Sequence, residues 1–272
     1  MAEGLMAGRR GLIMGVANDH SIGWGIARAL KAQGAELAFS YQGEAFGRRV
    51  KPLAYSLGSK IVVECDVEAP EAIARVFGEL ANAWGRIDFA VHAVAFSDKT
   101  ELKGNYADTS RQNFVRTMII SCFSFTEMAR QAAKLMPDGG SLLTLTYGGS
   151  IRVVPNYNVM GIAKAALESS VRYLAADYGP RKIRVNAISA GPMRTLAGAG
   201  IGDAREMFNF QKRHSPLRRT VTLEELGGAA VYLLSPLSSG VTGEIHYVDS
   251  GYNIISAPRP EDLAKSYANG ED

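Results

Sequence analysis

The chain has 272 residues, 47% of them hydrophobic, which suits one large α/β domain or two small ones and argues against disorder. A formal charge of +3 and no Lys/Arg-rich run give no case for nucleic acid. No apolar run reaches the roughly 18 residues of a membrane span, and MAEGLMAGRRGLIMGVA lacks a leader's apolar block and cleavage site, so a soluble protein is expected.

In chain order, short apolar runs alternate with longer amphipathic ones. GLIMGV, ELAFSY, KIVVECDV, IDFAVHAV, SLLTLTY, IRVNAIS and EIHYVD read as seven strands, several of them apolar at consecutive positions as parallel strands buried on both faces are. Helices are expected to begin near Ile22, Phe46, Pro70, Arg111, Tyr157, Asp203 and Leu223, the third with Pro just inside its start and acidic residues in its first turn. This alternation predicts an α/β fold of Rossmann type, a doubly wound parallel sheet. No repeat or linker interrupts it, so residues 1–272 are read as one domain with a polar tail from about 258. Cys65 and Cys122 stand in apolar segments without CxxC spacing and read as buried free thiols, which suits a reducing cytoplasm. His20, His92, His214 and His246 form no ligand spacing, so no metal is expected.

The first strand-to-helix turn, GVANDHSIGWGIARAL, carries Gly15, Gly23 and Gly25. Glycines there let the backbone approach a pyrophosphate, whose charge meets the helix N-terminus. The spacing departs from GxGxxG, and a tight packing turn is the ordinary alternative; position at the first βα turn favours cofactor binding. Ser21 and Ile22 can present main-chain N–H groups, with the Ser21 hydroxyl as a further donor. Gln42, at the end of the second strand, is neutral and suits the free 2′-hydroxyl of NAD; Arg48 and Arg49 leave NADPH open. Asp66 and Val67 follow the third strand where adenine edges are usually held, although Asp66 also reads as a helix cap.

Tyr157 and Lys164 stand seven residues apart, in YNVMGIAK. On one helix, seven residues return a side chain to within about 20° of the same face, and the phenol lies about 4.5 Å along the axis from a four-residue arrangement. A carbonyl reductase needs its acid at the oxygen of the carbon that receives hydride. An enoyl reductase delivers hydride to the β-carbon, so its acid must reach the more distant thioester oxygen. Met160, in the four-residue slot, transfers no proton, and the upstream position where such carbonyl reductases keep a serine falls near Tyr147.

GVANDHSIGWGIA, AFSYQ, CDV, LTLTY, PNYNVMGIAKAALE, IRVNAISAGPMRTLA and RRTVT together cover nearly the whole chain. With these blocks the sequence resembles the NADH-dependent enoyl-[acyl-carrier-protein] reductases of type II fatty acid synthesis, a divergent branch of the short-chain dehydrogenase/reductases. The resemblance implies Tyr157 as the phenol on the thioester carbonyl, Lys164 as the cofactor-ribose ligand and Tyr147 as a second active-site tyrosine, for which aromatic packing is a serious competitor. It places Ala95, Pro192, Met193 and Thr195 against the cofactor. Phe96 and Met160 fall to the substrate side, with Met207 and Phe210 on a covering loop-helix at about 192–214. It also implies a homotetramer and an acyl carrier protein as partner; the apolar helix from Phe123 to Met128 and the segment near Val248 offer contact regions, although core packing explains them equally well.

The chain reads HAVAF where the family commonly has HSIGF, so Ala95 adds a methyl beside the expected nicotinamide pocket and Ala93 removes a hydroxyl. Gly202 and Glu206 flank Arg205 and dilute a basic portal, which Lys212 and Arg213 can restore. A 3-ketoacyl-thioester reductase is the second enzymatic reading, and an inactive NAD(H)-binding sensor is a third.

Overall fold

The computed structural model describes residues 4–193, 204–257 and 259, with the backbone alone at 204–207. The strands are β1 (Arg10–Met14), β2 (Glu36–Tyr41), β3 (Ile61–Glu64), β4 (Phe89–His92), β5 (Gly140–Thr146), β6 (Ile183–Ala190) and β7 (Ile245–Val248). Among the described residues they form one seven-stranded sheet in the order β3-β2-β1-β4-β5-β6-β7, every neighbouring pair parallel. The helices are α1 (Ile22–Ala32), α2 (Gly43–Ser56), α3 (Ala72–Trp84), α4 (Arg111–Met118), α5 (Ser124–Lys134), α6 (Asn158–Tyr178), α7 (Ala204–His214) and α8 (Leu223–Leu234). The doubly wound parallel fold expected from the alternating pattern is the fold observed.

Successive strand residues point to opposite faces, and both faces are apolar. Leu12 and Met14 of β1 join Val76, Phe125, Met128 and Leu167 in the layer under α3, α5 and α6. Ile13, between them in sequence, joins Ile26, Leu30, Val50 and Leu226 under α1, α2 and α8. The α1–α8 crossing is close because both helices present glycine: a Cβ on Gly25 would lie 2.8 Å from Leu223 Cβ, and one on Gly227 would lie 2.6 Å from Ala29 Cβ. That crossing fixes the N-terminus of α1 beside the β1–β4 boundary, where the strand order reverses and a crevice opens.

Local differences from the expected elements have identifiable causes. The third helix begins at Ala72, with Pro70 outside it and Glu71 left-handed at φ 62°. Ala69 N–H bonds Asp66 O and Ala72 N–H bonds Ala69 O, so two turns occupy the predicted first turn. The second helix begins at Gly43 rather than Phe46, directly after Gln42. The third and fourth strands are shorter than KIVVECDV and IDFAVHAV, because both chains leave the ladder at the crevice. Met128 is fully buried in the core and so is no surface contact, whereas Phe123 is exposed. Cys65 and Cys122 are free and buried, and burial raises both thiols above their ordinary range.

Candidate active site

The centre is assembled where β5 ends against α6. Lys164 Nζ donates to Leu145 O at 2.8 Å, and one turn on, Glu168 Oε1 accepts from Thr146 Oγ1 at 2.6 Å. Two buried polar side chains of α6 thus pin the last residues of β5, and Tyr147 emerges immediately after them. Its ring meets that of Tyr157 at 5.2 Å between centroids, inclined at 74°. An edge-to-face pair of this kind holds both rings more tightly than area burial alone. Gly149 makes room for it, since a Cβ there would sit 2.5 Å from Tyr157 Cδ1.

Tyr157 differs in one respect from the expected helix geometry. It is the N-cap of α6 rather than a member of it, and the flanking Asn156 and Asn158 have φ of 59° and 36°. The seven-residue step to Lys164 therefore crosses a helix boundary, and its orientation is set by this turn and the Tyr147 contact, not by helical phase. Tyr157 is 7% exposed and Lys164 6%. Among the described residues nothing hydrogen-bonds the Tyr157 hydroxyl. Burial, reinforced by Tyr147 and Glu168, pushes that phenol far above its ordinary value, so it stays a proton donor. Burial pushes Tyr147 up to about 12 and pulls Lys164 down to about 8, with Cys122 and Glu168 opposing the latter.

Met160 is buried with Tyr157, Val159 and Leu102, and Tyr147 and Phe114 pack on the same cluster. The four-residue slot is therefore apolar wall. His92 lies beneath, with ring nitrogens 3.3 Å from Thr144 Oγ1 and 2.8 Å from Ser124 Oγ. Burial and the Lys164 charge lower it to about 3, so it is neutral and takes no part in proton transfer near pH 7.

The segment after β4 is clamped by a π-helical turn, Ile119–Phe123, between α4 and α5. Ser121 Oγ accepts from Phe96 N and donates to Phe96 O, each at 2.9 Å. The Phe96 ring lies under Arg116, 4.5 Å from Cζ to centroid, and Arg116 is held by two 2.8 Å bonds to Glu68. Neighbouring Ala95 is exposed.

Along the crevice, Gly15 turns the chain at φ 93°, and a Cβ there would sit 2.1 Å from Ala93 O. The Ser21 hydroxyl accepts from Ala17 N at 3.0 Å and Asn18 N at 3.1 Å and donates to Asn18 Oδ1, so it organises the loop rather than offering a free donor. The N–H groups of Ile22 and Gly23, by contrast, have no partner among the described residues and mark the start of α1. At the far end, Gln42 Nε2 donates to Asp66 Oδ2 at 3.0 Å, while Asp66 Oδ1 accepts from Glu68 N; Asp66 builds a turn and does not cap α3. Val67 packs on the core beside them. Unspent helix-terminal donors, a buried lysine and a neutral amide at the two ends of one crevice form a donor set that fits a dinucleotide.

On the other side, Pro192 and Met193 follow β6 half-buried, and Met193 packs on the core. Phe210 is half exposed, its ring tilted against His214 at 4.2 Å and edge-on to Tyr252 at 6.5 Å between centroids. Thr195 and the Met207 side chain lie outside the described residues. Gln211, Glu168 and Gly149 carry no signal in the sequence: a glutamine on an amphipathic helix, a glutamate one turn after a lysine and a loop glycine are all commonplace.

Comparison with known proteins agrees in one direction. Residues 15–253 match a family described as enoyl-(acyl carrier protein) reductase. The chain is 69% identical over 261 residues to enoyl-[acyl-carrier-protein] reductase [NADH] 2 of Rhizobium meliloti (strain 1021), covering 96% of this chain and 97% of that one. FabI from Candidatus Liberibacter asiaticus superposes with a TM-score of 0.93 at 60% identity, covering 95% of this chain and 100% of that one. An Anaplasma phagocytophilum enoyl-(acyl-carrier-protein) reductase in complex with NAD gives a TM-score of 0.91 at 56% identity, covering 95% and 98%.

Proposed function

The chain belongs to the enoyl-(acyl carrier protein) reductase family, and from that membership we propose that it reduces the trans-2 double bond of enoyl-acyl-carrier-protein thioesters in fatty acid synthesis, with NADH as hydride donor. The carrying observation is the edge-to-face Tyr147–Tyr157 pair beside buried Lys164, with apolar Met160 in the slot a carbonyl reductase would fill with an acid.

NADH, when bound, supplies the hydride that the β-carbon receives. Ile22 and Gly23 N–H groups meet the pyrophosphate at the start of α1, in a loop shaped by Gly15 and Ser21. Gln42, oriented by Asp66, would accept from the adenosine ribose, and Val67 would meet the adenine edge. Lys164 bonds the nicotinamide ribose and supplies positive potential. Ala95, Pro192 and Met193 would border the nicotinamide. As hydride reaches the β-carbon, charge grows on the thioester oxygen, and the Tyr157 hydroxyl donates to that oxygen; a fixed donor at such an oxyanion is worth about 3 kcal/mol. The resulting enolate takes a proton from solvent at the α-carbon, which gives the saturated thioester. Met160 and Phe96, with Phe210 of α7, would wall the acyl chain, each buried CH₂ contributing about 0.8 kcal/mol.

The acyl carrier protein delivers this substrate, and exposed Lys212 and Arg213 on the last turn of α7 suit its acidic surface. A homotetramer would cover exposed large apolar side chains such as Val115, Ile119, Phe123, Ile162 and Tyr173. The two buried thiols suit the cytoplasm; among the described residues no helix is long and apolar enough to cross a membrane.

The test is to follow NADH absorbance with a medium-chain trans-2-enoyl thioester, comparing wild type, Tyr157→Phe and Lys164→Met. Oxidation that collapses in both variants supports the reading. NADH binding without oxidation would sink it and favour a sensor.

A further inference from the structure

Among the described residues, Gln211 is the one buried polar side chain of α7 that the proposed reaction leaves without a task. It is 5% exposed, and its Nε2 donates to the Tyr147 hydroxyl at 3.0 Å. Its Oε1 is buried with no partner among the described residues. Native interiors rarely strand an amide oxygen, and a leucine would fill the same space without doing so. Packing therefore does not explain the glutamine, whereas its bond to Tyr147 does.

The bond fixes the far end of a ring whose face is set by Tyr157. The Tyr157 hydroxyl, by contrast, has no partner within the described protein. The two phenols thus divide their duties: one hydroxyl is tied to α7, the other is free for a ligand. Gln211 sits 64 residues from Tyr147 in sequence, so the bond joins the helix beside the site to the end of β5.

We propose that Gln211 is a positioning residue: by anchoring the Tyr147 hydroxyl it ties α7 to the aromatic pair and so sets where the Tyr157 phenol stands. The role in turnover rests on the reading of Tyr157 as donor to the thioester oxygen. Gln211 touches neither substrate nor cofactor in this scheme; it acts through Tyr147.

The experiment compares Gln211→Leu, Tyr147→Phe and the double variant in the full-length protein. Backbone deuterium exchange of residues 208–214 is measured without substrate, and kcat and both KM values are measured with NADH and a trans-2-enoyl thioester. Each single change cuts the same bond, so each should lower kcat about tenfold and raise exchange alike, and the double variant should be no worse than either single one. KM for NADH should stay at the wild-type value, which general loosening of the fold would not permit. Wild-type kcat and exchange in Gln211→Leu would overturn the proposal. So would a double variant whose loss is the product of the single losses, or a Tyr147→Phe loss far beyond that of Gln211→Leu, since Tyr147 would then act on the substrate itself. Should wild type fail to oxidise NADH with the thioester, the reaction is at fault, and the substrate-free exchange comparison still decides the Gln211–Tyr147 link.

Discussion

Tyr147 and Tyr157 form an edge-to-face pair with centroids 5.2 Å apart, yet their hydroxyls are used differently: Gln211 bonds the first, and no described residue bonds the second. Removing the two hydroxyls should therefore have unequal effects. Tyr157→Phe should lower kcat by about 10²–10³, the usual loss for one oxyanion donor, and leave NADH affinity unchanged. Steady-state kinetics with an enoyl thioester and fluorescence titration with NADH check both halves, and a Tyr157→Phe enzyme near wild-type kcat would refute the assignment.

Lys164 gives a pH signature. Burial lowers it to about 8, against the opposing influence of Cys122 from the π-helical turn and Glu168 from α6, while His92 beneath it stays neutral. The ammonium is therefore present below about 8 and lost as pH rises through it. Tyr157 remains protonated across the same range. NADH affinity should be flat well below that pH and weaken above it, and Lys164→Met should weaken binding and remove the inflection. Titrations of NADH across pH for both proteins decide the point.

On the proposed reading, cofactor choice turns on Gln42. With its Nε2 engaged by Asp66 at 3.0 Å, its amide oxygen is left as an acceptor, welcome to a free hydroxyl and repellent to a 2′-phosphate. Gln42→Arg exchanges that acceptor for a guanidinium. The ratio of kcat/KM for NADPH to that for NADH should rise at least about tenfold, equivalent to about 1.4 kcal/mol. An unchanged ratio would show that the adenosine ribose is read elsewhere.

Stability has a separate control point at the opposite end of the sheet. Asp88 is buried, accepts from Arg10 N at 2.9 Å, and pairs with Arg9 at 3.0 Å and Arg86 at 3.4 Å. Both guanidiniums are about half exposed, so their share is small, and the stranded Arg10 N–H dominates. Asp88→Ala should cost about 2 kcal/mol in urea unfolding with unchanged NADH affinity in the folded protein.

The sheet was legible because buried parallel strands leave consecutive apolar residues, as in LLTLT, and because Gly15 marks the turn that must follow β1. Strand and helix ends were less so: Pro70 mimics a helix opening, but the successive turns from Asp66 to Ala72 take up the residues of that first turn. The Tyr157–Lys164 spacing suggests two side chains on one helix face, but Tyr157 caps the helix and a left-handed Asn158 follows it, so helical phase does not relate the two. Gln211 was invisible because its significance lies in a contact across 64 residues, and no local pattern encodes that.

The most direct test of the reaction is the destination of the hydride. NADH deuterated at the transferred position of the nicotinamide should be supplied with a trans-2-enoyl thioester, and the product analysed by mass spectrometry and NMR. The proposed chemistry predicts a saturated acyl thioester with one deuterium at the β-carbon. An unlabelled product would contradict it, and so would label accepted only from a 3-ketoacyl thioester, at the carbinol carbon of a 3-hydroxyacyl product.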